Sequence, residues 1–520
     1  MDPRILGARV LIVCAFAAAP VVLALPPTPP PQLELYISGS SAQDEALENL
    51  IRLPTGVAGA PALCETGTLD IYRGTLGGTV NRVFYCRTSQ QVKGVAAAQR
   101  LAIYKSSGGS GDGVTPVAAA TPLPFLDLAK LPQTPACLNG QPKLATVELA
   151  AYVNHTGCDG AAKLVRPRAG LSDVNPELVG GVSAPLTVRP QNQIVWGLPV
   201  SKNLRNALQS IQGLVPSSVP HDDPLRDTEQ SMPSLARAQV AALFSGTIRS
   251  WDQFYDSNGT PLTKSALLPP GPPRDPDASG ASPGAYRPDS AVGATVYICR
   301  RIASSGTQAA YEVHYLRARC ESNALAFVTP NDGSNLSSGG DVGRLVRIPK
   351  PGGNVFAGVG TADVRDCLDA HAQFNRWAVG LLSTENVGNN GNRKFRYVKV
   401  DGAAPTLLNA YDGRWSHVTE QSMQWRKSFE PSLATTPEGR VLEFVAINLG
   451  LPKVIAALNS GFVHSWGQGG YLAPATSNFP EPKPPVTAEA LRVNPVASLT
   501  MSLGRLDDCH EPVVARPTEL

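Results

Sequence analysis

Arg301-Ile302-Ala303-Ser304-Ser305-Gly306-Thr307 follows the apolar run 294–299 and precedes Gln308-Ala309-Ala310-Tyr311-Glu312-Val313-His314-Tyr315-Leu316. Apolar and β-branched residues come first, then small hydroxylated residues and a glycine, then apolar positions Ala310, Val313 and Leu316. That order spells strand, loop, helix. Such a junction aims free backbone N–H groups and the positive end of the helix dipole at one spot, a seat for an anion. Ser305 and Thr307 add hydroxyl donors there, and Arg301 offers a planar fork to two oxygens of a phosphate or carboxylate. Ser-Gly-Thr ahead of a helix is equally an ordinary N-cap, so the cradle needs support from elsewhere in the chain.

Residues 33–53 repeat the layout. Leu33-Glu34-Leu35-Tyr36-Ile37 alternates, Ser38-Gly39-Ser40-Ser41-Ala42 turns, and Leu47, Leu50 and Ile51 make a helical stripe. Ser40, Ser41 and the N–H groups through Gln43 would face an anion. Asp44 favours the helix start by its charge, and it would repel a dianion that it faced. Ala102-Ile103-Tyr104-Lys105 leads into Ser106-Ser107-Gly108-Gly109-Ser110-Gly111-Asp112-Gly113-Val114, read as a glycine-rich loop. It lacks the Gly-Lys-Ser/Thr ending of a nucleotide-binding loop, so ATP is not read from it. Cys64 and Cys86 bracket glycines between apolar runs, a stapled hairpin. Ile194-Val195-Trp196-Gly197-Leu198-Pro199-Val200 reads as a strand with Trp196 in the core, and Leu204, Leu208 and Ile211 as a helix after it. Residues 235–244 form an amphipathic helix ended by Gly246, 365–377 a further helix, and 442–463 strand and helix patterns.

Taken in order, these patches resemble the periplasmic phosphate-binding proteins, the soluble receptors of phosphate ABC transporters. The resemblance rests on Ile37-Ser38-Gly39-Ser40-Ser41-Ala42-Gln43, Gly170-Leu171-Ser172-Asp173, the 194–200 strand, Arg301-x-x-x-Ser305-Gly306-Thr307 and, most specifically, residues 239–251 ending in Ser245-Gly246-Thr247-Ile248-Arg249-Ser250-Trp251. It covers most of residues 33–470 in outline. It implies a two-lobed α/β fold of the type II periplasmic binding protein kind, with disulfide-bearing insertions. The first lobe would hold 33–190 and 385–520, the second 191–384, with a crossing near 185–200 and a strand at 378–383 returning toward the first lobe. It implies phosphate held by Ser40, Ser41, Ala42, Gln43, Ser106, Ser107, Asp173, Arg301, Ser305, Gly306 and Thr307. Asp173, otherwise a turn residue before Asn175-Pro176, would accept the proton of a monohydrogen phosphate and so reject sulfate. Two departures stand out: Ala303 replaces the family's Asp that braces the arginine, and Ala42-Gln43-Asp44 replaces a small-Thr-Phe sequence. The implied partners are inorganic phosphate or a similar oxyanion and an ABC transporter permease, with the chain a monomer that takes no cofactor.

Composition agrees with an exported binder. A chain of 520 residues exceeds one typical domain, and 48 Gly with 47 Pro make much of it turn and loop. A net charge of +3 with 17% charged residues gives no basic field for nucleic acid. Arg4, Arg9, the apolar run 10–25 and the prolines after it read as a signal peptide, residues 1–24, cleaved after Ala24; an uncleaved anchor is the alternative. Cys14 lies inside that leader. The eight remaining cysteines, Cys64, Cys86, Cys137, Cys158, Cys299, Cys320, Cys367 and Cys509, read as disulfides formed in the periplasm or outside the cell. Nearest-neighbour pairing expects 64–86, 137–158, 299–320 and 367–509, and no Cys-x-x-Cys spacing suggests a metal.

An enzyme is not expected. Gly280-Ala281-Ser282-Pro283-Gly284 matches a nucleophile-elbow pattern but sits in a Pro-rich excursion, 266–290, without flanking strand and helix. His155, His221, His314, His371, His417, His464 and His510 are scattered without ligand spacing. The rival from another class is a secreted or surface interaction protein that keeps the fold without transport.

Overall fold

The computed structural model describes residues 29–54, 61–146, 149–180, 183–216, 218–268, 293–331, 335–336, 353–388, 393–475, 480, 482, 485–498 and 508–510. The leader, the elbow-like match and most of the Pro-rich excursion lie outside them.

Eleven principal strands build two sheets. They are β1 (Leu33–Ser40), β2 (Asp70–Leu76), β3 (Thr79–Arg87), β4 (Arg100–Gly108), β5 (Ala169–Ser172), β6 (Leu186–Ser201), β7 (Tyr297–Arg301), β8 (Val355–Gly358), β9 (Ala378–Gly380), β10 (Phe395–Val400) and β11 (Val418–Arg426). The first sheet runs β2-β3-β4-β1-β5-β11-β6. β1 pairs parallel with β4 and β5, and β11 runs antiparallel to β5 and β6. The second runs β8-β7-β9-β6-β10, parallel from β8 to β9 and antiparallel at β6.

β6 belongs to both. Residues 186–195 pair with β11, and residues 198–201 pair with β10. The crossing expected near 185–200 is therefore one unbroken 16-residue strand. At Gly197, between its two halves, a Cβ would lie 2.5 Å from the Tyr397 ring, so a side chain would displace β10. β10 lies with the second sheet, C-terminal to the boundary expected at residue 384, and the chain is back in the first sheet at β11.

Helices cover the sheets: α1 (Asp44–Ile51), α2 (Ser110–Ala119), α3 (Lys202–Ile211), α4 (Arg237–Phe244), α5 (Gly306–Leu316), α6 (Thr361–Gln373), α7 (Pro437–Asn448) and α8 (Pro452–Asn459). Residues 442–463 are thus mainly helical, and no single described helix is long and apolar enough to cross a membrane. Trp196, Trp251 and Trp377 are fully buried, each worth about 4–6 kcal/mol in apolar transfer. Trp196 Nε1 donates to Thr419 Oγ1 at 2.8 Å and Trp251 Nε1 to the Trp377 carbonyl at 3.0 Å, so neither indole loses its hydrogen bond by burial.

This is the two-lobed α/β arrangement that the sequence implied, and four disulfides brace it. Cys64–Cys86 and Cys137–Cys158 join as expected. The other expected pairs are corrected to Cys299–Cys367 and Cys320–Cys509. Cys299 is buried in β7, and α6 packs over that sheet with Cys367 facing it, whereas Cys320 lies beyond the end of α5.

Candidate anion site

Loops at the ends of β1, β4, β5 and β7 meet where the two sheets face each other. Gly39 has φ of +102°, and a Cβ there would come within 2.3 Å of the Leu171 carbonyl, so only glycine turns the chain out of β1. Ser40 then accepts from the Ala42 N–H at 3.1 Å and donates to Asp173 Oδ1. Gln43 turns into the core, its amide donating to the Ser172 carbonyl at 2.8 Å. Asp44 does not stand as a naked charge: Lys105 Nζ, fully buried at the end of β4, sits 3.0 Å from its Oδ1. Lys105 also donates to the Gly39 carbonyl at 2.8 Å. Burial holds the Lys105 ammonium below its ordinary range while Asp44 opposes that shift. The repulsion expected of Asp44 is thereby cancelled from behind the loop.

The stretch read as a glycine loop is the end of β4 followed at once by α2. Ser106 and Ser107 are strand residues, and the helix begins at Ser110. Its glycines let α2 lie against β5, because a Cβ on Gly170 would fall 1.7 Å from the Gly113 carbonyl. Ser110, not singled out from the sequence, accepts from the Asp173 N–H at 2.9 Å and donates to Asp173 Oδ2 at 3.3 Å. Asp173 accepts as well from Gln421 Nε2 at 2.9 Å. Burial raises its pKa against the pull of Ser40, Gln421, Arg301 and Ser110.

Across the interface, α5 begins at Gly306 with no side chain capping its first turn. A Cβ on Gly306 would lie 2.1 Å from Ser110 Oγ and 3.0 Å from Asp173 Cβ, so the start of α5 packs directly on the first-lobe group. The Gly111 N–H donates to the Ser304 carbonyl at 3.1 Å, bonding the lobes backbone to backbone. Ser40, Asp173, Ser110 and Gly306 thus form one buried knot.

Beside that knot opens a cavity of about 400 Å³. Of the sequence-predicted set, Ser41, Ser107 and Arg301 line it; Ser40, Ala42, Gln43, Ser106, Asp173, Ser305, Gly306 and Thr307 do not. The first lobe adds Asp44, Glu45, Arg82 and Asp112, the second adds Thr361 and Arg365, and Glu385, Asn386 and Phe462 complete the wall. None of Arg365, Glu385 and Phe462 carried a sequence signal, since each sits singly within an otherwise ordinary helix or turn.

Arg301 is 3% exposed. With Ala303 in place of a bracing acid, its guanidinium is held by neutral oxygens: Nη1 donates to Thr361 Oγ1 at 3.0 Å and weakly to Thr307 Oγ1 at 3.5 Å, and Nη2 donates to the Val359 carbonyl at 2.7 Å. Nε has no partner. Among the described residues no carboxylate lies within ion-pair distance, and burial lowers its pKa to about 10 while Asp173 and Asp363 act only through space. Arg82 differs, being paired with Glu45 at 2.9 Å and Glu48 at 3.0 Å. Ser107 Oγ is likewise buried without a partner.

Also in the lining, the half-buried Glu385 accepts from Ser383 Oγ at 3.0 Å and lies in hydrogen-bond contact with the Tyr471 hydroxyl, whose single proton is shared between Glu385 and the Ala42 carbonyl, 2.8 Å away. Burial pushes this carboxyl up to about 8. Cys299, Cys367 and His371 cluster elsewhere, but both sulfurs are taken by their disulfide.

No protein-family model matches the chain, and no curated protein does. Among solved structures it is similar to a putative phosphate ABC transporter substrate-binding protein with bound phosphate from Clostridium perfringens, at 10% identity over 82% of this chain and 97% of that one, with a TM-score of 0.38. An ABC-type phosphate transport receptor from Vibrio cholerae matches at 14% identity over 56% of this chain and 79% of its own, TM-score 0.28. PstS from Borrelia burgdorferi matches at 10% over 56% and 78%, TM-score 0.27.

Proposed function

We propose that the chain is an exported solute-binding protein that captures phosphate or a similar oxyanion between its lobes. The observation that carries the reading is Arg301, a buried guanidinium with no carboxylate partner and an unused Nε at the edge of a cavity. Burying an unpaired cation costs several kcal/mol, and an anion in that cavity offsets the cost. Ser107 and Ser41 add hydroxyls on the same wall, and Lys105 removes the objection that Asp44 raised. Asp173, held in the knot behind, would accept the proton of a monohydrogen phosphate once the knot opens to admit it. The four disulfides suit an oxidising compartment, and a permease reading the closed form is the partner this function requires.

Calorimetry with inorganic phosphate tests the reading: a 1:1 complex is expected, and no heat at millimolar phosphate rejects it. Capture of the same envelope partner with and without phosphate, in the absence of any such heat, would instead support an interaction protein that keeps the fold alone.

A further inference from the structure

A bare phosphate ion leaves most of the cavity unused. A volume of about 400 Å³ lies in the range of pockets that enclose small organic ligands, roughly 300–1,000 Å³, against ~30 Å³ for a water. The rest of the lining is of mixed charge, with Arg82 and Arg365 as well as Asp44, Glu45, Asp112 and Glu385, so it offers no seat of a single sign for a second anion. Its polar groups are of both kinds. Arg365 lines the cavity with a buried Nε that has no partner, a donor without an acceptor. Glu385 faces it with a carboxyl that Ser383 and Tyr471 only partly occupy, an acceptor with capacity to spare. A hydroxyl group is both donor and acceptor and serves the two together. In the same lining Phe462, Val80, Val359 and Ala362 give apolar surface for carbon-bound hydrogens.

Resting on the oxyanion reading above, we propose that the ligand is a phosphate monoester whose alcohol part carries further hydroxyls, with the phosphate at Arg301 and the polyol against Glu385, Arg365 and Phe462. The full mature chain is titrated calorimetrically with inorganic phosphate, glycerol 3-phosphate, glucose 6-phosphate and free glucose. At least one monoester is expected to bind about tenfold or more tighter than inorganic phosphate, a difference of about 1.4 kcal/mol, and free glucose not at all. Glu385→Ala and Phe462→Leu should each shrink the ratio of phosphate Kd to monoester Kd; the second variant covers the case in which loss of the Tyr471 contact unfolds the first. A purely structural role would move both constants in parallel and leave the ratio where it was, which overturns the inference. Inorganic phosphate binding as tightly as every monoester also overturns it, and leaves the oxyanion reading standing. If no phosphate-bearing probe binds, that reading falls and takes this one with it.

Discussion

Replacing Arg301 by alanine separates a binding group from a structural one. In the free protein the change removes hydrogen bonds to Thr361 and Val359, about 1 kcal/mol each. It also removes a buried cation whose desolvation costs several kcal/mol and which no carboxylate pairs. These terms oppose one another, so ligand-free stability should shift by no more than ~2 kcal/mol. Bound phosphate, in contrast, loses a buried charge-assisted partner, a loss of about 2–5 kcal/mol or roughly 30- to 4,000-fold in Kd. Calorimetry gives the affinity, and denaturant unfolding without ligand gives the stability. At a ligand concentration of 100 Kd the parent should gain about 2.7 kcal/mol, and at that same concentration the variant should gain about 0.9 kcal/mol at most. The reasoning fails if the variant binds phosphate as the parent does. It fails equally if ligand-free stability falls by more than ~4 kcal/mol, which would make Arg301 a brace.

Glu385 keeps its proton to about pH 8 when folded, against 4.5 for an ordinary glutamate. The folded state therefore binds more protons between those values, so this group's contribution to stability falls as pH rises from about 4.5 to 8 and levels above that. In Glu385→Gln the fall should vanish from unfolding curves taken across pH 5–9, and an unchanged slope would count against it. Gly170→Ala, with a Cβ 1.7 Å from the Gly113 carbonyl, should cost ~3 kcal/mol or more in denaturant unfolding; Gly77→Ala, in open space at φ +57°, should cost ~1 kcal/mol. Breaking Cys320–Cys509 with serines frees a closure of 189 residues, for which chain entropy sets an upper figure of about 5 kcal/mol. An unfolding midpoint that does not move would show the tail to be free of the core.

The strand–loop–helix at β7 and α5 was legible because its apolar residues are contiguous and its loop residues small. Ser110 was not, because glycines at 109, 111 and 113 are poor helix formers and read as loop. Gly109 caps a helix that takes in Gly111 and Gly113, because Gly113 lies backbone to backbone on β5 and Gly111 against Ser304, a demand of packing rather than of propensity. Lys105 behind Asp44 was equally hidden, since their meeting depends on the parallel register of β1 with β4. The disulfides divide the same way. Cys64–Cys86 and Cys137–Cys158 close local units that chain distance finds, whereas Cys299–Cys367 and Cys320–Cys509 join elements whose proximity exists only after the sheet and its covering helices assemble.

β6 has a mechanical consequence. One ribbon carries the ladders of both lobes, so they cannot swing apart as though on a loose pin; any shift of one sheet against the other must be taken up along that shared ribbon, on which Gly197 sits packed against the Tyr397 ring. The Tyr311 hydroxyl, on the helix whose first turn meets Asp173, is bonded to the Gly197 carbonyl at that same point. The helix α5 is therefore pinned twice, by its first turn to Ser110 and Asp173 and by Tyr311 to the strand that both sheets share.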